Sequence, residues 1–404
     1  VVTNGQKIPE LLSPAGSLEK LKVVVSYGAN AVYLGGQKFG LRAAADNFSE
    51  DEIKIAVNYC RNRGVKLYVV VNGLLHDDEM EHLWEYIQFL DEQKVDGYIV
   101  ADIGVLSLIV KYSDTPIHLS TQASCVNVES AKFWHEMGAS RIILGREVSL
   151  CEAKKIKEEV DIELEMFIHG SMCIAYSGNC TISNYTRGRD SNRGGCAHSC
   201  RFKYRLDSPG EKSMESFFMS SKDLSGIEVV DQFINSQIDS IKIEGRMKGH
   251  LYAGITTKVY REALDFYGLD NERDQNLLNL WNQELDTIPH REYCQGNLVK
   301  KAGTESIYLN RESELKTYQS LGSILEVWQD QYLVIEVKSA FEVGDRIEVI
   351  PFKGPPISIE LDWIKDISGH SVERTRPSTL VKIPYVNTVE KWNIVRMKIQ
   401  ESNN

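Results

Sequence analysis

The 404-residue chain contains no run of 18 apolar residues, so no segment of it reads as a transmembrane helix. Val1–Ile8 lacks the apolar core of a secretory signal, and the missing initiator methionine predicts a trimmed start. The expected location is therefore the cytoplasm. Positive charge is also short. Lys and Arg number 46 against 57 Asp and Glu, a formal net charge of −11, which excludes a general nucleic-acid coat. Three catalytic signatures are missing as well: no Gly-x-Gly-x-x-Gly, no His-Glu-x-x-His and no Gly-x-Ser-x-Gly. That argues against a dinucleotide fold, a zinc protease and an elbow-type hydrolase.

What remains is a chain of globular composition, 42% hydrophobic and 25% charged, too long for one domain of roughly 100–200 residues. Eight β-rich runs recur, each followed by a helical stretch: Glu10–Leu12, Ala31–Leu34, Val65–Val71, Gly97–Val100, Ile117–Ser120, Arg141–Leu144, Glu163–Ile168 and Ser240–Ile243. Helical spacing with acids in the first turn marks Asp51–Arg63 and Asp78–Gln93. This alternation predicts a (β/α)8 barrel over residues 1–269, with an open doubly wound sheet as the alternative. The step from Ile168 to Ser240 is roughly 70 residues, far beyond a normal crossover, which predicts an insertion over 170–225. Residues 270–318 read as a helical and extended connector. Six short strands in 319–404 (Ser323–Trp328, Tyr332–Val337, Asp345–Ile350, Ser358–Trp363, Leu380–Ile383, Asn393–Met397) predict a small antiparallel β-barrel.

The insertion holds four of the eight cysteines, Cys173, Cys180, Cys196 and Cys200, spaced Cys-x6-Cys-x15-Cys-x3-Cys. Four soft thiolates can close a tetrahedral sulfur site for a 4Fe-4S cluster or for zinc. The wide first pair favours the cluster and keeps zinc as the alternative. A radical-SAM arrangement fails, because Lys203 stands where a third cysteine would be needed. Cys60, Cys125, Cys151 and Cys294 read as packing residues. Against Asp190 alone, the stretch Thr181–Leu206 carries Arg187, Arg189, Arg193, Arg201, Lys203 and Arg205, a local charge of +5. With Tyr185, Phe202 and Tyr204 interleaved, the patch suits single-stranded RNA, or else neutralises thiolates or a small anion.

Residues just past the strand ends would converge on one barrel mouth: Asn72, Asp102, Gln122, Arg146, Glu147, His169, Glu244 and Arg246. Lys242 and Lys248 add positive charge, and Arg146, Lys242 and Arg246 are candidates to clamp a carboxylate. Ser171 and Ser177 stand near His169 in sequence, but chain neighbours seldom form a triad.

The motifs Glu10-Leu-Leu-Ser-Pro-Ala-Gly16, Glu165-Met-Phe-Ile-His-Gly-Ser-Met-Cys173, Tyr176-Ser-Gly-Asn-Cys180, Asn192-Arg-Gly-Gly-Cys196 and Ile241-Lys-Ile-Glu-Gly-Arg246 resemble those of the collagenase-like peptidase family of unknown catalytic type. Within it the chain is most similar to the branch that hydroxylates the wobble uridine of bacterial tRNA without molecular oxygen, with prephenate as the hydroxyl source. That resemblance implies an enzyme of tRNA modification, with tRNA and a small carboxylate as partners, room for a partner protein, and no membrane. It also implies cluster ligation by Cys173, Cys180, Cys196 and Cys200. The alternatives are a collagenase-like peptidase and a non-enzymatic RNA-binding protein with structural zinc.

Overall fold

The structure is a computed structural model; it describes residues 2, 3, 6–41, 46–207, 209, 212–309 and 314–399. All eight expected runs form strands: β1 (Glu10–Pro14), β2 (Ala31–Gly35), β3 (Lys66–Val71), β4 (Gly97–Val100), β5 (Ile117–Leu119), β6 (Arg141–Ile143), β7 (Glu163–Ser171) and β8 (Ser240–Ile243). Neighbours pair in parallel, and β8 pairs with both β1 and β7, so the barrel is closed. The helices follow from local chemistry. In α2 (Glu50–Arg61) Ser49 and Glu52 form a capping box, and in α6 (Leu150–Glu159) Ser149 and Glu152 do the same. Each buries one face, such as Ile53, Ala56, Val57 and Cys60 of α2.

β7 runs to Ser171, past its expected end at Ile168. The reason is a short strand, Asp223–Ser225, which pairs antiparallel with its last residues, Ser171 to His169. That strand is the return leg of the insertion and in turn pairs in parallel with Tyr293–Cys294 of the connector. Both pairings lie far apart in sequence, so alternation of strands and helices does not announce them. The insertion carries a short helix, Ile182–Arg187, and a hairpin, Tyr204–Leu206 with Met214–Ser216.

Beyond the connector helix Gln275–Leu285 lies a seven-stranded antiparallel sheet curled round its own apolar core, which includes Leu321, Ile335, Ile347 and Val395. Its strands are β9 (Tyr318–Trp328), β10 (Tyr332–Val337), β11 (Arg346–Ile350), β12 (Ile357–Glu360), β13 (Lys365–Asp366), β14 (Leu380–Pro384) and β15 (Ile394–Lys398). The two-residue β13 has no apolar alternation, which is why six rather than seven strands are legible in the sequence. The sheet docks on the barrel through Tyr27, whose hydroxyl donates to the Ile350 carbonyl at 2.6 Å and accepts from the Ile394 N–H at 3.0 Å. Among the described residues no helix is long and apolar enough to cross a membrane.

Candidate active site at the barrel mouth

The C-terminal ends of the strands enclose a cavity of ≈ 560 Å³, counting its open mouth, into which Tyr33, Asn72, Gln122, Arg146, Lys242, Glu244 and Arg246 all project. Six of these are strand-end or clamp residues named from the sequence. Lys242 forms part of the cavity wall. It is buried, ion-paired to Glu165 at 2.9 Å and set over the rings of Tyr33 and Phe167 at 4.4 and 5.6 Å. Burial pulls its pKa below the ordinary lysine value, and Glu165 works against that shift. Arg246 is also buried; its guanidinium donates to the Leu41 carbonyl and lies so close to Gly35 that any Cβ there would collide with it. Tyr33 donates to the Ile243 carbonyl at 3.0 Å and to Glu244 at 3.3 Å, and burial raises its pKa well above the usual value.

Arg146 differs from the other two cations. Its guanidinium stacks 4.0 Å from the centre of the Phe167 ring, and it has no carboxylate or hydrogen-bond partner among the described residues. Its backbone is fixed on both sides: the N–H donates to Ser177 Oγ at 3.2 Å, and the carbonyl accepts from Asn297 at 2.9 Å. The Gln122 side chain is likewise without a partner among the described residues, while Ser120 caps its backbone N–H at 3.3 Å. A stacked, positioned, unneutralised guanidinium beside an amide is suited to bidentate capture of a carboxylate or phosphate.

Other sequence candidates are placed elsewhere. Asp102 caps the helix α4 (Ile103–Tyr112), accepting from Gly104 and Val105 at 2.7 and 3.2 Å. Glu147 accepts from the N–H and hydroxyl of Ser177 at 2.9 and 3.3 Å and so ties the insertion to the barrel. Lys248 pairs with Glu314. His169 lies behind the cavity, 1% exposed, among Tyr252, Tyr260 and Tyr293. Its Nδ1 bonds the Tyr260 hydroxyl at 3.2 Å, and burial pushes its pKa down to about 3. Its carbonyl accepts from the Glu244 N–H at 2.8 Å, and Gly170, at φ +115°, lets the two backbones touch. His169 thus supports Glu244 from behind and makes no hydrogen bond to Ser171 or Ser177, so no nucleophile–base pair forms there.

The four insertion cysteines are all free thiols; Cys173 is exposed, and Cys180, Cys196 and Cys200 are half-buried. They share one neighbourhood: burial raises the Cys200 pKa, the charges of Cys173, Cys196 and Cys180 add to the rise, and Arg201 opposes it. Arg201, expected on an RNA-facing surface, is turned inward instead. It donates to the Ser221 carbonyl at 2.6 Å, to Ser220 Oγ at 3.2 Å and to the Met172 carbonyl, so it braces the chain on both sides of the thiols. The donor set suits a thiolate-ligated group with a cation alongside. As placed, no three His, Cys, Asp or Glu side chains among the described residues close round a single metal position.

The remaining basic residues of the patch divide. Arg193 is held by Glu79 at 2.8 Å and the Leu74 carbonyl, Lys203 pairs with Glu215, and Arg205 with Asp207. Arg187 stands over Phe202 at 5.1 Å, Arg189 is exposed, and Tyr185 is 93% exposed. Those three are accessible and carry no ion pair among the described residues, whereas the equally exposed Lys203 and Arg205 are held by acids. Sequence reasoning missed Tyr33 and Phe167 as cavity walls; the inward phase of β2 and β7 was the available signal.

Residues 16–308 match the profile of peptidase family U32, and residues 316–396 that family's C-terminal domain. The chain belongs to peptidase family U32. It is 39% identical to "tRNA hydroxylation protein P1" of Bacillus subtilis, over 98% of this chain and 97% of that protein. It is 33% identical to "23S rRNA 5-hydroxycytidine C2501 synthase" of Escherichia coli, over 84% of this chain and 52% of that protein. A third relative, named "Collagenase", from Porphyromonas gingivalis, is 29% identical over 93% of this chain and 94% of its own length.

Proposed function

We propose that this chain is a cytoplasmic tRNA-modifying enzyme that hydroxylates C5 of the wobble uridine without molecular oxygen. A small dicarboxylate such as prephenate supplies the hydroxyl group, and a 4Fe-4S cluster is held by Cys173, Cys180, Cys196 and Cys200. The observation that carries this reading is the unneutralised Arg146 guanidinium in the mouth cavity, flanked by Arg246 and Lys242. Such a site attracts a carboxylate co-substrate. The names of two relatives, one a tRNA and one an rRNA hydroxylation protein, support the pyrimidine target.

In this mechanism Arg146 grips the donor's carboxylate while Arg246 and Lys242 offset the remaining negative charge. Gln122 and Glu244 reach the same space and orient the polar ends of donor and base. A wobble base is already unstacked, so the enzyme has little to spend on extruding it. A bound cluster would supply one-electron redox chemistry or Lewis acidity beside the mouth. The accessible Arg187, Arg189 and Tyr185 offer phosphate and base contacts to the anticodon loop.

The test is nucleoside analysis of tRNA from a deletion strain, complemented with the wild type or with Cys173→Ala. Loss of hydroxyuridine in the deletion, restored only by the wild type, is expected; unchanged hydroxyuridine in the deletion refutes the reading. Anaerobic purification should give absorbance near 400 nm with roughly four irons per chain, whereas one zinc and no colour sinks the cluster. The collagenase name of one relative keeps a peptidase reading in view. Cleavage of denatured collagen by chelator-treated protein is its deciding observation.

A further inference from the structure

A second cationic site lies away from the mouth, where the barrel's outer helices meet the C-terminal sheet. Lys22 of α1 (Leu18–Ser26), Tyr59 and Arg63 at the end of α2, and Lys391 and Trp392 between β14 and β15 line an open cleft of ≈ 870 Å³, solvent included. The ammoniums of Lys22 and Lys391 stand 5.1 and 5.3 Å from the Trp392 ring, and the Arg63 guanidinium lies 3.7 Å from that of Tyr59. None of the three cations has a carboxylate within 4.0 Å among the described residues, although the chain as a whole carries −11. Elsewhere on the surface, lysines such as Lys54 and Lys132 are paired with acids on their own helix.

Two ammoniums sharing one indole repel each other, and an anion between them relieves that repulsion. Trp392 is held in the left-handed region at φ 75°, with its backbone N–H donated to the Ile324 carbonyl at 2.7 Å, so its main chain is pinned to β9 rather than left to a free loop. Unpaired cations alternating with ring faces in a concave site match a phosphodiester strand whose bases stack. The cleft lies on the outer face of the barrel and shares no lining residue with the mouth cavity, so it would contact a part of the RNA other than the base being modified.

We propose that the cleft formed by Lys22, Tyr59, Arg63, Lys391 and Trp392 is a second RNA-contact site that holds the body of the substrate tRNA. This rests on the reading that the substrate is RNA. Binding of unmodified tRNA is to be measured across a salt series for the wild type, for the triple variant Lys22→Gln/Arg63→Gln/Lys391→Gln, and for Lys111→Gln/Lys132→Gln/Lys155→Gln. The last makes the same change in net charge on α4, on α5 (Val128–Glu136) and on α6. The cleft variant should lose about tenfold or more in affinity and about two units of log–log salt slope, as expected for two to three phosphate contacts. The control should stay within about twofold of wild type, and Trp392→Leu should lose about tenfold with a smaller change of slope. Equal binding by wild type and cleft variant, or equal loss in cleft and control variants, overturns the proposal while leaving the hydroxylase reading intact. A wild type that binds no tRNA overturns it too, and the nucleoside analysis of the deletion strain then decides the hydroxylase reading separately. Melting curves of each variant show whether a loss reflects misfolding; for Trp392→Leu that is the main risk, whereas the charge variants alter partly or fully exposed positions.

Discussion

At the N-terminal end of the barrel Arg141 meets Glu10 at 2.7 Å, Glu163 at 2.7 Å and Glu165 at 3.2 Å, and Glu165 passes the charge on to Lys242. At the C-terminal end Arg146, little further along the same chain, meets a phenyl ring and, among the described residues, no acid. Both guanidiniums belong to one short segment, yet one is sealed into a network and the other is left uncompensated. Buried ions survive only when paired, so the closed end is a structural device. The cation at the open end gains only its stacking on Phe167 and is left available to an anion. The same split separates Lys242, paired below, from the mouth residues above it.

The largest expected effect comes from breaking the closed end. Arg141→Met removes the cation shared by three carboxylates, two of them well buried, and leaves Glu10 and Glu165 only Lys66 and Lys242; it should cost about 3–5 kcal/mol of stability, read as a lower urea midpoint. Glu165→Gln alone leaves Lys242 uncompensated and should cost nearly as much. Glu165→Gln with Lys242→Met should recover most of that loss, since removing both charges is far cheaper than removing one. If the double variant is as unstable as the sum of the singles, the pair is not coupled and the contrast between the two ends weakens. Arg146→Gln should do the reverse. Stability should move by less than about 0.5 kcal/mol, while kcat/KM for the carboxylate donor falls roughly 10- to 100-fold, the worth of a charge-assisted hydrogen bond. Arg146→Lys should recover little of it, because a point charge cannot replace the planar fork.

How much of this was legible beforehand follows from the range of each interaction. The eight barrel strands and the emergence of Gln122, Arg146, Glu244 and Arg246 at one mouth depend on local period and on phase along a strand, and both are written in short stretches of sequence. The gathering of four cysteines was legible because they lie within one insertion. What escaped were contacts between distant segments: Asp223–Ser225 extending β7, and Arg201 turning inward to hold the Met172 carbonyl. The cleft at Trp392 escaped for the same reason, since Lys22 and Trp392 come from opposite ends of the chain. The position of His169 is the sharpest case. Its phase put it at the mouth, but the extension of β7 carried it under Glu244 and among three tyrosines.

That burial makes a smaller prediction, one that separates a supporting histidine from a catalytic one. The folded protein keeps His169 neutral, with a pKa near 3 set first by burial, while an unfolded histidine titrates near 6.5. Above about pH 6.5 both states are neutral and the full stabilising contribution is present. As the pH falls below that value the unfolded chain takes up a proton the folded one refuses, and stability drops until the pH nears 3. His118 and His250 are shifted in the same direction by burial and add to the slope. Between pH 6.5 and 5 the wild type should therefore lose roughly 1–2 kcal/mol more than His169→Phe, which keeps an aromatic ring in the tyrosine cage but cannot take a proton. Urea midpoints across that window read the difference. A catalytic His169 would in addition change the shape of the pH-rate profile in the variant, which a supporting histidine leaves unchanged.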